Sequence, residues 1–228
     1  MSKPKHRGQY PSPYLAPGFY DDALATGRHR DIVGGRWEET GLVQMQILLA
    51  EGLDPHHKLL DIGAGCLRLG CRAVPYLEAG NYWATDQSRP LMLRGREVEL
   101  ADPSRLPEEQ LIADDSFDLP GVPDQMDYAI AFGLFTHLPL PMLERALVNI
   151  RRQLPALKCF FFTSFIAPAE AYDAPFRQPD GVVTHPARTP YHFVQDAVLQ
   201  AAETAGWDIS TLPTELPRGQ QLFRATPR

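Results

Sequence analysis

The sequence has few of the features that mark secreted, metal-stabilised or membrane-spanning proteins. Its three cysteines, Cys66, Cys71 and Cys159, are odd in number and lack the spacing of a metal site, which predicts free thiols in a reducing cytoplasm. No apolar run approaches the length of a membrane span, and no apolar stretch follows the first residues, so we expect no signal peptide. These absences favour a cytoplasmic protein that makes no use of a membrane.

Long runs of basic residues are also missing. Apart from a short tail between Lys3 and Arg7, positive charge is scattered, and the net charge at pH 7 is −6. Because phosphate-binding surfaces are usually basic, this composition argues against nucleic acid as the main partner. The length of 228 residues suits one α/β domain with a terminal extension. The sequence carries no signal for an oligomeric state.

The most informative stretch reads Leu59-Leu60-Asp61-Ile62-Gly63-Ala64-Gly65-Cys66-Leu67-Arg68-Leu69-Gly70. An apolar run ends in an acid and is followed by a glycine turn, which is how a parallel α/β sheet begins a nucleotide-binding unit. Gly63 and Gly65 allow the backbone to turn tightly and to approach a ligand closely. A dinucleotide fingerprint would need a third glycine where Arg68 stands, and no Gly-Lys-Ser/Thr follows, so neither a dinucleotide site nor a P-loop fits.

This stretch resembles motif I of the class I S-adenosylmethionine-dependent methyltransferases, commonly Asp-x-Gly-x-Gly-x-Gly. It departs from that motif at the last glycine, which is Leu67. The resemblance implies S-adenosylmethionine as the methyl donor. It also implies contacts to the methionine part of that cofactor from Asp61, Gly63, Ala64 and Gly65. The alternative is a glycine turn without a ligand.

Asp86 gives a second signal at the end of "YWATD". A carboxylate at the tip of the next strand, about 20 residues after a glycine turn, can accept both hydroxyls of a ribose. The alternative is that Asp86 only caps the following helix. By resemblance to the same family, Asp86 and Gln87 would contact the ribose.

Two further segments extend the resemblance, "ADDSFDLP" and "FGLFTHLP". The first is similar to the family's adenine-binding segment and implies adenine contacts from Asp115 and Ser116, with Asp114 as the rival acid. The second resembles motif IV, which implies that Phe132 and Gly133 line the donor near the sulfonium. The resemblance as a whole covers roughly residues 31 to 226.

The resemblance implies a Rossmann-like α/β fold with a seven-stranded sheet that contains one antiparallel strand. We expect residues 1–55 to form an N-terminal extension, with a lid and the helix that leads into the domain, and residues 56–228 to form the cofactor-binding domain. Apolar spacing predicts a helix over Glu38–Leu53, with Leu42, Met45, Gln46, Leu49 and Leu53 on its inner face. The same reasoning predicts a helix over Cys66–Leu77 and a helix over Pro141–Leu154 with inner residues Leu143, Leu147, Ile150 and Leu154.

The proline-rich stretch 167–190 follows the fifth predicted strand and would open at the carboxyl edge of the sheet, where ligands bind. We expect it to form the acceptor-binding wall. The aromatic residues of the N-terminal segment predict either a lid over the pocket or simple packing, with Tyr14 and Tyr20 as candidate substrate contacts. Further candidate substrate contacts are Arg68, His185, Tyr191 and His192.

The resulting hypothesis is a methyltransferase acting on a small molecule, with oxygen as the methylated atom of a sugar, glycan precursor or secondary metabolite. An oxygen acceptor must lose a proton, and His137, just past the fourth strand, is the first candidate base, with a purely structural role as its alternative. No convergent carboxylates suggest a metal, so we expect metal-independent transfer. The alternatives are N- or C-methylation, a non-catalytic S-adenosylmethionine-binding protein, and a nicotinamide-dependent reductase, which Arg68 opposes.

Overall fold

A computed structural model describes residues 12–16 and 18–228. The remaining residues of the predicted N-terminal extension, 1–11 and 17, lie outside the described part. Within the described part, no helix has the length and apolar character needed to cross a bilayer. All three cysteines are free.

The predicted α/β fold class is confirmed: a central, mostly parallel sheet is flanked by helices. The strands are β1 (Leu59–Ile62), β2 (Tyr82–Asp86), β3 (Leu111–Ala113), β4 (Tyr128–Ala131), β5 (Cys159–Ile166), β6 (Phe176–Arg177), β7 (Val183–Thr184), β8 (His192–Phe193), β9 (Trp207–Leu212) and β10 (Gln221–Pro227). The helices are α1 (Asp21–Ala25), α2 (His29–Ile32), α3 (Trp37–Ala50), α4 (Gly70–Tyr76), α5 (Arg89–Glu99), α6 (Leu140–Gln153) and α7 (Gln195–Thr204).

Seven strands follow the order β3-β2-β1-β4-β5-β10-β9. The strand β10 runs antiparallel to both of its neighbours, β5 and β9, whereas β1 pairs in parallel with β2 and β4. An eighth, short strand, β8, pairs with the end of β5. The chain order reverses between β1 and β4, so the carboxyl ends of these strands border the crevice where ligands bind in such sheets.

Alternating side chains of each strand feed two apolar layers. On β5, Phe161 packs in the layer with α3, α4 and α5, whereas Phe160 and Phe162 pack in the layer with α6 and α7. The predicted inner residues of α6 and its end, Leu143, Leu147, Ile150 and Leu154, are all fully buried. Burial of each such side chain contributes about 2 kcal/mol before the entropy cost of ordering it.

The predicted inner face of the α3 region is confirmed for Met45 and Leu53, which are buried, and is wrong for Leu42, Gln46 and Leu49. Leu42 and Leu49 are 47% and 43% exposed, while Thr40 and Gln44 are buried in the same helix. Two polar residues one turn apart thus take positions that apolar spacing assigned to the surface. They face a cavity, described below, and not the apolar core.

The helix after the glycine turn also begins later than expected. The chain passes through turns from Gly65 to Leu69, and α4 starts only at Gly70. Leu67 has a φ of 64°, in the left-handed region, at the position where motif I usually has glycine. That conformation costs a leucine about 1 kcal/mol, which the complete burial of its side chain offsets.

Candidate functional site

A cavity of about 370 Å³ lies at the carboxyl ends of the central strands, within the size range of small-molecule sites. It brings together most of the residues singled out from the sequence: Tyr14, Tyr20, Asp61, Gly63, Ala64, Gly65, Arg68, Asp86, Gln87, Asp115, Phe132, Gly133 and His137. These residues come from the N-terminal segment, from the tips of β1, β2, β3 and β4, and from the loops that follow them.

The glycine turn after β1 is closed by backbone contacts to β2. Gly63 and Ala64 both donate to the carbonyl of Thr85, at 2.8 and 3.1 Å. Gly63 and Gly65 have φ values of 72° and 57°, and an added Cβ would lie 2.9 Å from Leu134 and 2.8 Å from Val33, respectively. Glycine is therefore required at both positions for conformation and for space.

Asp86 ties the turn to the neighbouring strand. Its Oδ2 accepts from the Gly65 N–H at 2.9 Å, and its Oδ1 accepts from the Ser88 N–H at 2.9 Å. Burial raises the pKa of Asp86, and the two backbone donors lower it. Because each carboxylate oxygen keeps a second lone pair, Asp86 can hold the turn and still accept two hydroxyl groups.

Asp61 is buried in β1 below the turn, where its Oδ2 accepts from the Tyr82 hydroxyl at 2.7 Å. Burial raises the pKa of Asp61 to about 7, against the opposing effects of the Tyr82 hydrogen bond and the charge of Arg68. An adjacent cation would favour the ionised form. Gln44 Oε1 is also buried and has no hydrogen-bond partner among the described residues, and Gln44 lines the same cavity.

The two candidate adenine-binding acids, Asp114 and Asp115, have different surroundings in the loop after β3. Asp114 accepts from the N–H groups of Ser116 and Leu119, at 3.0 and 2.9 Å, so its carboxylate shapes the loop. Asp115 is exposed and lines the cavity. Ser116, predicted beside the adenine, lies outside the lining residues and directs its hydroxyl to Asp114 and Asp118.

The loop after β4 is anchored to β5 and, through it, to the residue that precedes β10. Gly133 N–H donates to Thr163 Oγ1 at 2.7 Å, and that hydroxyl donates to Gln220 Oε1 at 2.6 Å. Thr136 Oγ1 donates back to the Gly133 carbonyl at 2.6 Å. This network fixes Phe132 and Gly133 at the cavity wall.

His137 follows on the same loop and faces residues from distant parts of the chain. Its Nδ1 lies 3.0 Å from Thr189 Oγ1, and its ring lies 4.5 Å from that of Tyr14, centroid to centroid. Burial, with a smaller effect of the Arg218 charge, lowers the pKa of His137 to about 4. The imidazole is therefore neutral at pH 7.

The N-terminal segment reaches the cavity through Gln87. The side-chain amide of Gln87 donates to the carbonyl of Tyr14 and, at 3.0 Å, to the hydroxyl of Tyr20. Tyr14 also packs on Phe19, with ring centroids 4.8 Å apart. Both predicted tyrosines thus line the cavity, and Gln87 is the residue that holds them there.

Three of the predicted substrate contacts do not reach the cavity: His185, Tyr191 and His192 lie outside its lining. Because β8 pairs with β5, His192 is fully buried, with Nδ1 2.8 Å from Thr184 Oγ1 and Nε2 2.9 Å from the Tyr172 carbonyl. Tyr191 is 3% exposed and packs in the layer with α6 and α7. These three residues are placed to support the 167–190 segment. Their contact with a substrate stays a prediction.

The lining residues that were not predicted include Thr40, Gln44, Arg218 and Gln220. The first two form a polar pair at i and i+4 on α3, a pattern that could have been noticed against the apolar background. Arg218 and Gln220 lie in the connection between β9 and β10, where nothing in the local sequence points to the site.

A group of three potential metal ligands, Asp54, His56 and His57, lies among the described residues and apart from this cavity. Both ring nitrogens of His57 are engaged, with Nδ1 accepting from the Asp54 N–H at 2.9 Å and Nε2 2.8 Å from Lys158 Nζ. The arrangement is that of a hydrogen-bonded turn.

Residues 60–156 match a family model described as "Methyltransferase domain", a range that runs from β1 to just beyond α6. No curated protein matches the sequence. The fold and the domain match confirm the resemblance to class I methyltransferases that the motifs indicated.

Several solved structures share the fold. Magnesium protoporphyrin IX methyltransferase from Synechocystis PCC 6803, with bound S-adenosylmethionine, matches with a TM-score of 0.59 and 14% identity over 92% of this chain and 94% of that chain. A putative O-methyltransferase from Nostoc punctiforme PCC 73102 gives 0.60 and 18% over 94% and 62%. The glycopeptide N-methyltransferase MtfA gives 0.58 and 15% over 82% and 90%. At these identities the similarity concerns the fold.

Proposed function

Since the chain has the fold of the class I S-adenosylmethionine-dependent methyltransferases and matches a methyltransferase domain over residues 60–156, we propose that it transfers a methyl group from S-adenosylmethionine to a small molecule. The observation that carries this proposal is one cavity lined by the glycine turn, by Asp86 and by a neutral His137. Donor-binding groups and a proton acceptor thus border the same space.

The residues present fit the donor. Asp86 has free lone pairs for two ribose hydroxyls, and the exposed Asp115 is available to the exocyclic amine of an adenine. Asp61 and the unpartnered Gln44 Oε1 are acceptors suited to an ammonium group. A donor with a sulfonium and an ammonium would be attracted by this acidic wall.

Bound S-adenosylmethionine supplies a methyl group that is already activated by the sulfonium. What the protein must add is alignment of the acceptor and exclusion of water. The loop after β4, anchored through Thr163 and Gln220, holds Phe132 and Gly133 at the wall where the acceptor would meet the methyl group. We propose that Tyr14, Tyr20 and the 167–190 segment close the acceptor side.

We further propose that the methylated atom is an oxygen. With the Nδ1 proton of His137 donated to Thr189 Oγ1, Nε2 carries the lone pair, and it has no partner among the described residues. In the transfer the acceptor O–CH₃ bond forms as the S–CH₃ bond breaks, and the hydroxyl proton passes to Nε2. The solved neighbours include a magnesium protoporphyrin IX methyltransferase, a putative O-methyltransferase and a glycopeptide N-methyltransferase. These names support a small-molecule acceptor.

The donor assignment is tested by calorimetry with S-adenosylhomocysteine and with NAD. We expect micromolar binding of the first and none of the second, because Arg68 stands where a dinucleotide fingerprint needs glycine. Binding of NAD alone would contradict the proposal. A screen of hydroxylated metabolites for release of S-adenosylhomocysteine then identifies the acceptor.

The base is tested with His137→Gln, for which we expect kcat to fall about 100-fold or more while the affinity for S-adenosylhomocysteine stays near that of the wild type. His56 is an exposed histidine outside the cavity lining, so His56→Gln is the matched control and should keep its activity. Because His137 has a pKa of about 4, kcat/KM should stay level from pH 7 down to about pH 5 and fall only near pH 4. Transfer by His137→Gln at the wild-type rate would exclude the base.

A further inference from the structure

Two arginines line the cavity without a carboxylate partner among the residues that the structure describes, Arg68 and Arg218. Both donate to carbonyls of one short segment. Arg68 Nη1 donates to Val33 O at 3.2 Å and to Gly35 O at 3.1 Å, and Arg218 Nη2 donates to Gly34 O at 2.5 Å. Three successive carbonyls therefore orient the two guanidinium groups without neutralising them.

The two arginines differ in burial and in the N–H groups that a ligand could reach. Arg68 is partly buried and borders Asp61, whose carboxyl group its charge influences. Arg218 lines the cavity and is also solvent-exposed, which places it at the opening. Its Nε and Nη1 have no hydrogen-bond partner among the described residues, and Nη2 uses only one of its two N–H groups on Gly34 O, so several N–H groups remain for a ligand.

The backbone at Arg218 is held in an unfavourable conformation. Its φ is 68°, in the left-handed region, which glycine and asparagine adopt more readily than residues with long side chains. Strain of this kind concentrates at ligand-binding positions. Arg218 thus occupies a position at which glycine or asparagine would make the fold more stable.

The charge of Arg218 acts on the acceptor side of the cavity. It lowers the pKa values of His137 and of Tyr14, after the larger effect of burial on each. The carboxylates of the lining, Asp61, Asp86, Asp114 and Asp115, belong to the tips of β1 to β3. The cavity is therefore acidic along the donor wall and cationic beside His137 and Tyr14.

We propose that Arg218 binds an anionic group of the acceptor, a carboxylate or a phosphate, and so restricts the substrates to hydroxylated molecules that carry such a group. This inference rests on the proposed methyl transfer. A guanidinium presents two parallel N–H groups to either anion. Anchoring the anion at Arg218 would leave the rest of the acceptor to reach the base at His137.

A second anion could occupy the same position at Arg218, namely the methionine carboxylate of the donor. Calorimetry with S-adenosylhomocysteine and with 5′-methylthioadenosine, which lacks that carboxylate, separates the two. We expect Arg218→Gln to bind both nucleosides within about twofold of the wild type. A tenfold or larger loss for S-adenosylhomocysteine alone would assign the anion to the donor and overturn the proposal. Failure of the wild type to bind S-adenosylhomocysteine would instead overturn the proposed function.

The acceptor site is tested by measuring the binding of matched probes to protein loaded with S-adenosylhomocysteine. The pairs are 4-hydroxybenzoate with 4-hydroxybenzamide, and glucose 6-phosphate with glucose. We expect at least one anion to bind the wild type about tenfold more tightly than its neutral counterpart. Arg218→Gln should lose that preference, and Arg218→Lys should retain part of it. Arg152→Gln, which removes an exposed arginine of α6 outside the cavity lining, should retain it fully.

Three outcomes would overturn the proposal. The first is equal binding of the charged and neutral probes by the wild type. The second is the absence of binding by either anion up to about 10 mM. The third is a preference that persists in Arg218→Gln. Circular dichroism and thermal unfolding of each variant identify any loss that comes from misfolding, and Arg218→Lys keeps the comparison valid if the glutamine variant unfolds.

Discussion

The two ends of the cavity are built in different ways. The proposed donor end consists of Asp61, the turn Gly63–Gly65 and Asp86, all at the tips of adjacent parallel strands and held by backbone hydrogen bonds. The proposed acceptor end consists of the lining residues Tyr14, His137 and Arg218, with Thr189 in contact with His137. These residues meet from four separate parts of the chain. The first depends on local geometry and the second on the packing of loops.

The difference in construction goes with a difference in charge. Carboxylates dominate the proposed donor end, which suits a cationic cofactor, and the proposed acceptor end has a neutral histidine and a guanidinium without a carboxylate partner among the described residues. Changes at the donor end should therefore remove cofactor binding. Changes at the acceptor end should alter turnover or selectivity and leave most of the cofactor affinity.

The largest effect is expected for Asp86→Ala. Loss of two charge-assisted hydrogen bonds to the ribose, together with release of the Gly65 N–H, should weaken S-adenosylhomocysteine binding by about 100-fold or more. Calorimetry measures the affinity. The exposed Asp102, whose carboxylate only caps a short turn, gives the control Asp102→Ala, and an unchanged affinity in Asp86→Ala would refute the ribose contact.

An intermediate effect is expected for Gly65→Ala. The added Cβ would lie 2.8 Å from Val33 in addition to the strain of a positive φ, so the turn must shift and cofactor affinity should fall by about tenfold. Gly80→Ala is the control, since Gly80 has a φ of 88° and nothing within 4 Å of an added Cβ. It should lose about 1 kcal/mol of unfolding free energy with no change in affinity. Equal affinities for the two variants would show that the turn does not touch the cofactor.

The smallest effect is expected for Tyr20→Phe, which removes only the hydroxyl that accepts from Gln87. If the N-terminal segment closes the cavity, the dissociation rate of S-adenosylhomocysteine should rise about fivefold, as expected for one hydrogen bond of about 1 kcal/mol. Stopped-flow fluorescence measures that rate. Tyr76→Phe loses a comparable bond, to Leu53 O at 2.9 Å, away from the cavity and should leave the rate unchanged. A rate unaltered in Tyr20→Phe would favour simple packing over a lid.

The helices show why some predictions from the sequence succeed and others fail. The inner face of α6 follows from apolar spacing because that helix packs on a purely apolar layer. The inner face of α3 does not, because part of it borders the cavity and there buries Thr40 and Gln44. A periodicity rule assumes that every buried position is apolar, and a binding site violates that assumption.

The motif at β1 shows the same division on a smaller scale. Its glycines and acid could be read directly, and their conformations agree with the reading. Leu67, which departs from the motif, nevertheless keeps the left-handed conformation of the missing glycine. Backbone geometry imposed by the two flanking elements overrides the preference of that one residue.

The sequence alone determined the sheet, its order of elements and the donor end, because strand tips and tight turns depend on neighbouring residues. Only the tertiary structure decided that Arg218 and Gln44 join the cavity and that His185, Tyr191 and His192 do not. Residues separated by more than a hundred positions meet through loop packing and strand pairing, and β8 turns His192 into the core through its pairing with β5. Local spacing carries no information about such contacts.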